Sequence, residues 1–284
     1  MLATDLSSRS DRAQDRAVSL AKQHDCELIV LHVLESPSEN NSVRRIPFLP
    51  FLDYNRIAIE KARKRILDDM KDVNARVTVL IQEGEPGEVI MGVADDMNCG
   101  LVVTGVARNE VLGRFTPGKT VDRLIRKSKT SLLIVTERFR GPYGRIAVAA
   151  DLSPASRDAL EAAASFFPGR TLALVYAFSA PRSSAVDNVD DYRERMRQVA
   201  RRDLTNFIAA VDLNADQRAR INMIIKYGNE SKVLKDFVRL SDAELVVMGS
   251  PLQGLLSRLF FGGHAKRLVS SVSCDALVVR SRHS

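Results

Sequence analysis

Met1-Leu-Ala-Thr-Asp5-Leu-Ser-Ser-Arg-Ser10 begins the chain, and a close copy, Ala147-Val-Ala-Ala-Asp151-Leu-Ser-Pro-Ala-Ser156, follows 146 residues later. A repeat that stays in register over this length indicates a duplicated domain rather than a short solenoid unit. The chain is therefore a module of about 140 residues, near the commonest domain size, present twice. Two further apolar segments recur at an offset of 144 residues, Leu101–Gly105 as Leu245–Gly249 and Ser131–Val135 as Asp275–Val279.

Each copy alternates short apolar runs with longer amphipathic segments. In the second copy, the apolar run 144–150 is too short for a helix and is bounded by glycine and aspartate, which indicates a buried strand. Ser153 and Pro154 then provide a capping residue and the first position of a helix predicted over 155–166. Further strands are predicted at 171–177, 220–226, 244–249 and 275–280, with helices at about 187–211, 230–240 and 263–271. The first copy has strands near 1–4, 27–34, 76–82, 100–105 and 131–136.

This alternation predicts parallel strands with helices on both faces of the sheet. The expected fold class is α/β, with two flavodoxin-like (Rossmann-like) doubly wound parallel-sheet modules in tandem, as domains 1–138 and 143–284. Residues 137–143, which include Gly141-Pro142, form the linker between them. In such sheets, ligands bind beyond the carboxyl ends of the strands at the topological switch point.

Composition argues for a cytoplasmic protein. No apolar run approaches the roughly 20 residues needed to cross a bilayer, and the N-terminal residues do not resemble a secretory signal. The three cysteines are odd in number and lack CxxC spacing, which fits reduced thiols, with redox sensing as the alternative. The histidines lack metal-ligand spacing, so no metal site is predicted.

The net charge of +7 raises the question of nucleic acid binding. The basic residues alternate with acids in the predicted helices, for example in 60–65 and 192–203, which is typical of a solvated helix face. No nucleic-acid recognition pattern accompanies them. Binding to nucleic acid is therefore only a minor hypothesis.

Polar and glycine residues follow the predicted first and fourth strands of each copy. Asp5 and Asp151 end the first strands, where a carboxylate can accept ribose hydroxyls or can simply cap the next helix. Gly105 and Gly249 end the fourth strands, and glycine recurs thirteen residues later in each copy, as Gly118 and as Gly262. A glycine at the start of a helix allows backbone N–H groups to approach a phosphate, and the helix dipole favours the anion.

Three features together resemble the universal stress protein family, here as a tandem that covers both copies. They are an Asp-x-Ser at the end of the first strand, Leu31-His-Val33 in the second strand, and the Gly105…Gly118 and Gly249…Gly262 spacings. ATP-binding members of that family read Gly-x2-Gly-x9-Gly-(Ser/Thr) after the fourth strand. The resemblance implies that these glycines and the hydroxyl contact ribose and phosphates, and that the first-strand aspartate contacts the sugar. It also implies that the second strand, at Val33 or Ala177, frames the adenine.

Neither copy carries the whole family motif. The first copy has Arg108 at the second glycine and Lys119 at the Ser/Thr position, whereas the second has Leu252 at the second glycine and Gly263 at the Ser/Thr position. We expect the second copy to bind nucleotide poorly, although its Gly262-Gly263-His264 helix start could attract an anion.

Residues 113–120 match the Walker A pattern GxxxxGK[ST]. In a P-loop enzyme the first glycine follows its strand directly, whereas here the strand ends eight residues earlier at Gly105, so a true P-loop is rejected. Phosphate could still meet the amide, ammonium and hydroxyl groups of Gly118, Lys119 and Thr120, with Arg108 nearby. The alternative is that Arg108 fills the mouth of the pocket and leaves a pseudo-site.

These patterns together predict a stress-response regulatory module that binds adenine nucleotide in its first copy. At most one ATP, with Mg²⁺ possible beside it, is expected per chain. The alternatives are a nucleotide-free interaction scaffold and, less favoured, an ATP-hydrolysing signalling protein, for which no catalytic base or metal ligands can be assigned. The fifth strands, at 132–135 and 276–279, are expected to meet across a pseudo-twofold axis as an intramolecular pseudo-dimer. A further homo-oligomer and an unidentified protein partner stay open.

The first strand of the first copy is short. Only four residues precede Asp5, whereas six strand residues, 145–150, precede Asp151. A central strand that short forfeits ladder hydrogen bonds and burial. We therefore expect the natural start to lie upstream of Met1.

Overall fold

A computed structural model describes residues 1–7, 10–35, 54–106, 108–109, 114–115, 118–178, 189–250, 269–270 and 272–280. Its strands are β1 (Leu2–Thr4), β2 (Leu28–Leu34), β3 (Val77–Glu83), β4 (Leu101–Gly105), β5 (Arg108–Asn109), β6 (Arg114–Phe115), β7 (Ser131–Val135), β8 (Ile146–Ala150), β9 (Leu172–Phe178), β10 (Ile221–Tyr227), β11 (Leu245–Ser250) and β12 (Asp275–Arg280). Its helices are α1 (Ser10–Gln23), α2 (Tyr54–Met70), α3 (Pro86–Asp96), α4 (Lys119–Lys127), α5 (Pro154–Phe166), α6 (Val189–Ala209), α7 (Ala215–Ala219) and α8 (Glu230–Ser241). None of these helices is long and apolar enough to cross a membrane.

Ten of the strands form one sheet, in the order β10-β9-β8-β11-β12-β7-β4-β1-β2-β3. We call β1–β4, β7 and α1–α4 the first module, and β8–β12 with α5–α8 the second module. In each module the order is third, second, first, fourth, fifth strand, all parallel. The predicted α/β class with two doubly wound parallel modules is therefore confirmed.

The strands are apolar on both sides because helices cover both faces of the sheet. Alternate residues of β2 belong to different cores: Leu28 and Val30 pack on the face that carries α1 and α5, whereas Ile29 and Leu31 pack on the other face. The exception in β2 is His32, which is buried, with its Nδ1 2.9 Å from the carbonyl of Thr4.

Local sequence also sets the start of α5. Ser153 is its N-cap and accepts a hydrogen bond of 3.2 Å from the amide of Ser156, and Pro154 occupies the first turn, as predicted. Two elements were not predicted: the short helix α7, which Asn214 caps, and the two-stranded β5–β6 pair. Both are too short for hydrophobic periodicity to mark them.

The two modules join through their fifth strands. β7 and β12 are antiparallel, with Leu277 opposite Leu133, Ala276 opposite Ile134 and Val278 opposite Leu132. All of these side chains are buried, and the hydrophobic core on each face of the sheet continues across this seam. The expected pairing of the fifth strands across a pseudo-twofold axis is confirmed.

A fully buried carboxylate, Asp275, lies at one end of the seam. Its Oδ1 accepts hydrogen bonds from the amides of Thr136 and Glu137, at 2.8 and 2.9 Å. Its Oδ2 accepts one from the hydroxyl of Tyr143 at 2.6 Å and lies 3.7 Å from Nε of Arg16. Burial, followed by the negative charge of Asp275, raises the pKa of Tyr143 well above its ordinary value, so the phenol stays protonated and donates.

Arg16 reaches this carboxylate from α1 and also holds the linker. Its Nη1 donates to the carbonyl of Gly141 at 2.8 Å. Its guanidinium lies 3.6 Å from the ring centroid of Tyr143 and 4.9 Å from that of Phe139. These cation–π contacts support a charge that is almost entirely removed from water.

Arg280 occupies the opposite end of the seam. Its guanidinium donates to the hydroxyl of Ser250 at 2.9 Å and to the carbonyls of Leu124 and Ile125 in the last turn of α4. A cation near a helix C-terminus is favourable because of the carbonyl dipoles there. Burial nevertheless lowers the pKa of Arg280 to about 10.

The substitution Tyr143→Phe tests how strongly the carboxylate depends on its donors. It removes the 2.6 Å hydrogen bond to Asp275 and leaves a buried charge one donor short. We expect the free energy of unfolding, measured by urea denaturation, to fall by about 1.5–3 kcal/mol, the range for hydrogen bonds to charged groups. Tyr227→Phe is the control, because that side chain is 49% exposed and its ring contacts are kept. Equal losses in the two variants would contradict the role assigned to Asp275.

Candidate functional site

A cavity of about 320 Å³ lies at the carboxyl ends of the first-module strands, at the switch point where β1 separates β2 from β4. The ends of these three strands form its floor, and the first residues of α3 and α4 form two of its walls. The structure brings together here six residues that the sequence singled out. They are Asp5, Val33, Gly105, Gly118, Lys119 and Thr120.

Asp5 shapes the turn that enters the cavity. Its Oδ1 accepts hydrogen bonds from the amide of Ser7 at 2.9 Å, from the hydroxyl of Ser7 at 2.6 Å and from the hydroxyl of Ser10 at 2.5 Å. Burial by itself would raise the pKa of Asp5, but the bonds from Ser10 and Ser7 outweigh it and hold the pKa below its usual value. The carboxylate therefore stays ionised. All the donors that reach it from the described residues bind Oδ1, and none of them binds Oδ2.

The same turn occurs in the second module, where Oδ1 of Asp151 accepts from the amide of Ser153 at 2.9 Å. In both turns the intervening leucine is left-handed, with φ of 57° at Leu6 and 64° at Leu152. A leucine in this region is strained, and such strain is often stored next to functional sites. The left-handed leucine was not predicted from the sequence, although the repeated Asp-Leu-Ser was its signal.

Gly118 lies at the N-terminus of α4 and lines the same cavity as Asp5. It is the N-cap residue, with φ −61° and ψ 167°, and no side chain in the described part of the chain caps the helix. A Cβ added at Gly118 would meet nothing within 4 Å among the described residues. Packing therefore does not require glycine here, and the uncapped first turn is open to a ligand in the cavity.

Arg123, one turn along α4, ties this wall to α3. Its Nη1 donates to Glu85 at 2.6 Å and to Glu88 at 2.9 Å. Glu85 also accepts from the amide of Glu88 at 2.9 Å and so caps α3. The two helix N-termini that border the cavity are thereby held together.

Gly249 has a packing role that the sequence analysis did not foresee. A Cβ added there would lie 2.0 Å from the carbonyl oxygen of Ala155, because the first turn of α5 rests on the end of β11. The close approach of α5 therefore requires glycine at this position, with or without a ligand nearby. Its first-module counterpart, Gly105, lines the cavity.

Two of the remaining predicted residues lie in the second module, away from this cavity. Ala177 lies in β9, paired with Lys226, and Asp151 follows the end of β8. For Arg108 the structure describes only the backbone, which pairs with Phe115 in the β5–β6 ladder. The residues Gly262, Gly263 and His264 lie outside the described part of the chain.

Ten further residues line the cavity without having been predicted as site residues, among them Ser10, Glu35, Pro86 and Ile90. Ser10 recurs as Ser156 in the repeat, so the sequence held a signal for it, whereas Glu35, Pro86 and Ile90 stand in no motif.

The family model for the universal stress protein family matches this chain twice, over residues 1–136 and 142–280. The chain belongs to the universal stress protein family, as a tandem member. It is 30% identical over 142 residues, 48% of this chain and 96% of the relative, to universal stress protein YxiE of Bacillus subtilis (strain 168).

Two solved structures resemble the tandem over almost its whole length. A universal stress protein from Archaeoglobus fulgidus DSM 4304 matches with a TM-score of 0.68 and 17% identity, over 99% of this chain and 98% of that one. A functionally unknown protein from Pseudomonas aeruginosa PAO1 matches with a TM-score of 0.64 and 14% identity, over 99% and 92%. At these identities the likeness supports the fold of the tandem universal stress protein and nothing more specific.

The two glycines at the strand and helix ends should respond differently to alanine. Gly249→Ala forces a methyl group into the backbone of Ala155, and we expect the free energy of unfolding to fall by about 2–3 kcal/mol, within the range for overpacking. Gly118→Ala enters open space and should cost less than about 1 kcal/mol, since it only weakens an N-cap preference. Chemical denaturation of both variants checks this. A stable Gly249→Ala protein would show that α5 does not rest on β11 in this way.

Proposed function

We propose that this universal stress protein is a cytoplasmic stress-response regulator that binds one adenine nucleotide, ATP, in the first-module cavity, with Mg²⁺ accompanying the phosphates. Residues 1–138 and 143–284 would be its two domains. The observation that carries the proposal is the presence of two features in the lining of one cavity. They are an ionised carboxylate, Asp5, and a helix N-terminus that begins with Gly118 and Lys119 and that no described side chain caps.

The chemistry of the walls fits the parts of a nucleotide. Oδ2 of Asp5 can accept ribose hydroxyls, because the local turn uses Oδ1. Leu31, Val33 and Ile90 offer an apolar surface for the base. The volume of about 320 Å³ is at the lower end of the range for small-molecule sites.

The phosphates would lie at the start of α4. The helix N-terminus directs amides and the positive end of its dipole towards the cavity, which favours an anion. The exposed ammonium group of Lys119 and the half-buried hydroxyl of Thr120 line the same wall. In the proposed site Lys119 replaces the family's hydroxyl residue with a positive charge.

The proposal places at most one nucleotide in each chain. In the second module, Leu252 stands where the family motif has its second glycine and Gly263 stands in place of the hydroxyl residue. The side chain of Leu252 takes space from the ligand, and Gly263 lacks the hydroxyl that would contact a phosphate. The second module would then serve as the structural partner of the first.

A nucleotide-free scaffold is the competing function, because Arg108 replaces the second glycine of the motif in the first copy. The two functions differ in one measurable property, the uptake of ATP by the purified protein. Hydrolysis of ATP is not part of the proposal, since no described residue is assigned as its catalytic base.

Isothermal titration of the full chain with ATP and Mg²⁺ tests the proposal. We expect about one site per chain, and we expect Lys119→Ala to weaken binding by about 1–3 kcal/mol, the scale for a lost charge-assisted hydrogen bond. Lys127→Ala is the matched control, because it removes the same charge from the other end of α4, outside the cavity. Absence of binding to the natural protein would favour the scaffold, and two equivalent sites would refute the division between the modules.

A further inference from the structure

The seam joins unlike modules, although its apolar surface is nearly the same on both sides. Leu133 of β7 faces Leu277 of β12 at the centre of the antiparallel pair. The flanking positions hold aliphatic side chains in both strands. Two copies of β7, or two copies of β12, could interdigitate in a similar way. Apolar packing by itself therefore does not specify which module pairs with which.

A charged pair at the edge of the seam does distinguish the modules. Arg16 comes from α1 of the first module, and Asp275 comes from β12 of the second. Their side chains are 6% and 0% exposed, and Nε of Arg16 lies 3.7 Å from Oδ2 of Asp275. Each module therefore contributes one buried charge to the pair.

Neither module carries both members of the pair. At the repeat offset of 146 residues, the second-module counterpart of Arg16 is Ala162 in α5. At the offset of 144, the first-module counterpart of Asp275 is Ser131 in β7. A seam between two second modules would therefore place Asp275 opposite alanine, and one between two first modules would place Arg16 opposite serine.

A seam between two first modules leaves the buried charge of Arg16 without its opposite. A seam between two second modules differs, because Arg280 stands at the counterpart of Thr136, where its amide donates to Ser131 at 3.2 Å, and it would bring a cation beside Asp275. Breaking a buried ion pair by removing one partner is strongly unfavourable, whereas removing both partners can be nearly neutral. Rejection of a wrong partner through an unpaired buried charge is a recognised source of specificity.

We propose that the Arg16–Asp275 pair sets the partner specificity of the fifth-strand surface, so that a first module accepts a second module and rejects another first module. The partner that fits the β7 edge is thus a module with a carboxylate at the position of Asp275. Relative to unlike pairing, the pairing of two first modules should be disfavoured by roughly a hundredfold or more.

The test uses the full chain with a protease site inserted after the exposed Arg140, so that the folded protein can be cut in the linker. Cut samples with natural and heavy isotopes are unfolded in urea, mixed and refolded together, so that every module pairs anew and hybrids of light and heavy unlike modules mark the exchange. Native mass spectrometry then counts like and unlike pairs. For the natural residues we expect exchanged unlike pairs and almost no like pairs.

The variant Arg16→Ala with Asp275→Ser gives each position the residue of its counterpart in the other module. We expect its like pairs to rise towards about half of all complexes, the statistical share when specificity is lost. Arg12→Ala is the control, because Arg12 also projects from α1 to the seam and donates to the carbonyl of Thr136 at 2.7 Å, whereas no carboxylate among the described residues pairs with it. This control should keep unlike pairing.

If the first variant does not fold, Arg16→Gln with Asp275→Asn removes both charges while keeping the side-chain shapes, and the same rise is expected. Like pairs at their statistical share in the natural protein would overturn the proposal. So would a folded neutral variant that exchanges freely and still forms only unlike pairs. In either case apolar packing or the linker, rather than the charged pair, would set the specificity.

Discussion

The buried carboxylate of Asp275 is the contact on which the arrangement of the two modules depends. It gathers the amides of Thr136 and Glu137 just after β7 ends, the hydroxyl of Tyr143 just before β8 begins, and the guanidinium of Arg16. Both ends of the linker are therefore held by one side chain of β12. A charge in this position is tolerated only because all of its partners are present. Together with the paired side chains of β7 and β12, that convergence ties the linker and α1 of the first module to the second module.

The helix that carries Arg16 also begins at the proposed nucleotide site. Ser10, the first residue of α1, donates to Asp5 at 2.5 Å, and two turns later Arg16 meets Asp275. At its other end Gln23 donates to the carbonyl of Phe166 in the second module at 2.7 Å. One continuous helix is thus fixed at the cavity, at the linker and at the second module. Such anchoring holds the Asp5 turn in place before any ligand arrives, which lowers the ordering cost of binding.

Glycines that look alike in the motif have different physical roles in the structure. At Gly249 the backbone of α5 approaches so closely that no side chain fits, and the residue stabilises the fold. At Gly118 there is open space among the described residues, next to a helix start that none of them caps, and the residue lines the cavity. The motif alone does not separate these roles, because each is defined by what lies opposite the missing side chain.

The sequence by itself determined the duplicated plan, the strand and helix order, the capped start of α5 and the meeting of the fifth strands, since short apolar runs, turn residues and the repeat encode these locally. It also pointed to the ends of β1 and β4 and to the start of α4, which the structure gathers around one cavity. Only the tertiary structure decided that Arg16 meets Asp275, that α5 rests on Gly249 and that Arg123 ties α3 to α4. Arg16, Asp275 and Arg123 stand in no local pattern that differs from an ordinary helix or strand face, and the motif that contains Gly249 does not reveal its packing role. Their partners lie far away along the chain, and contact between them depends on how whole elements pack, which periodicity does not encode.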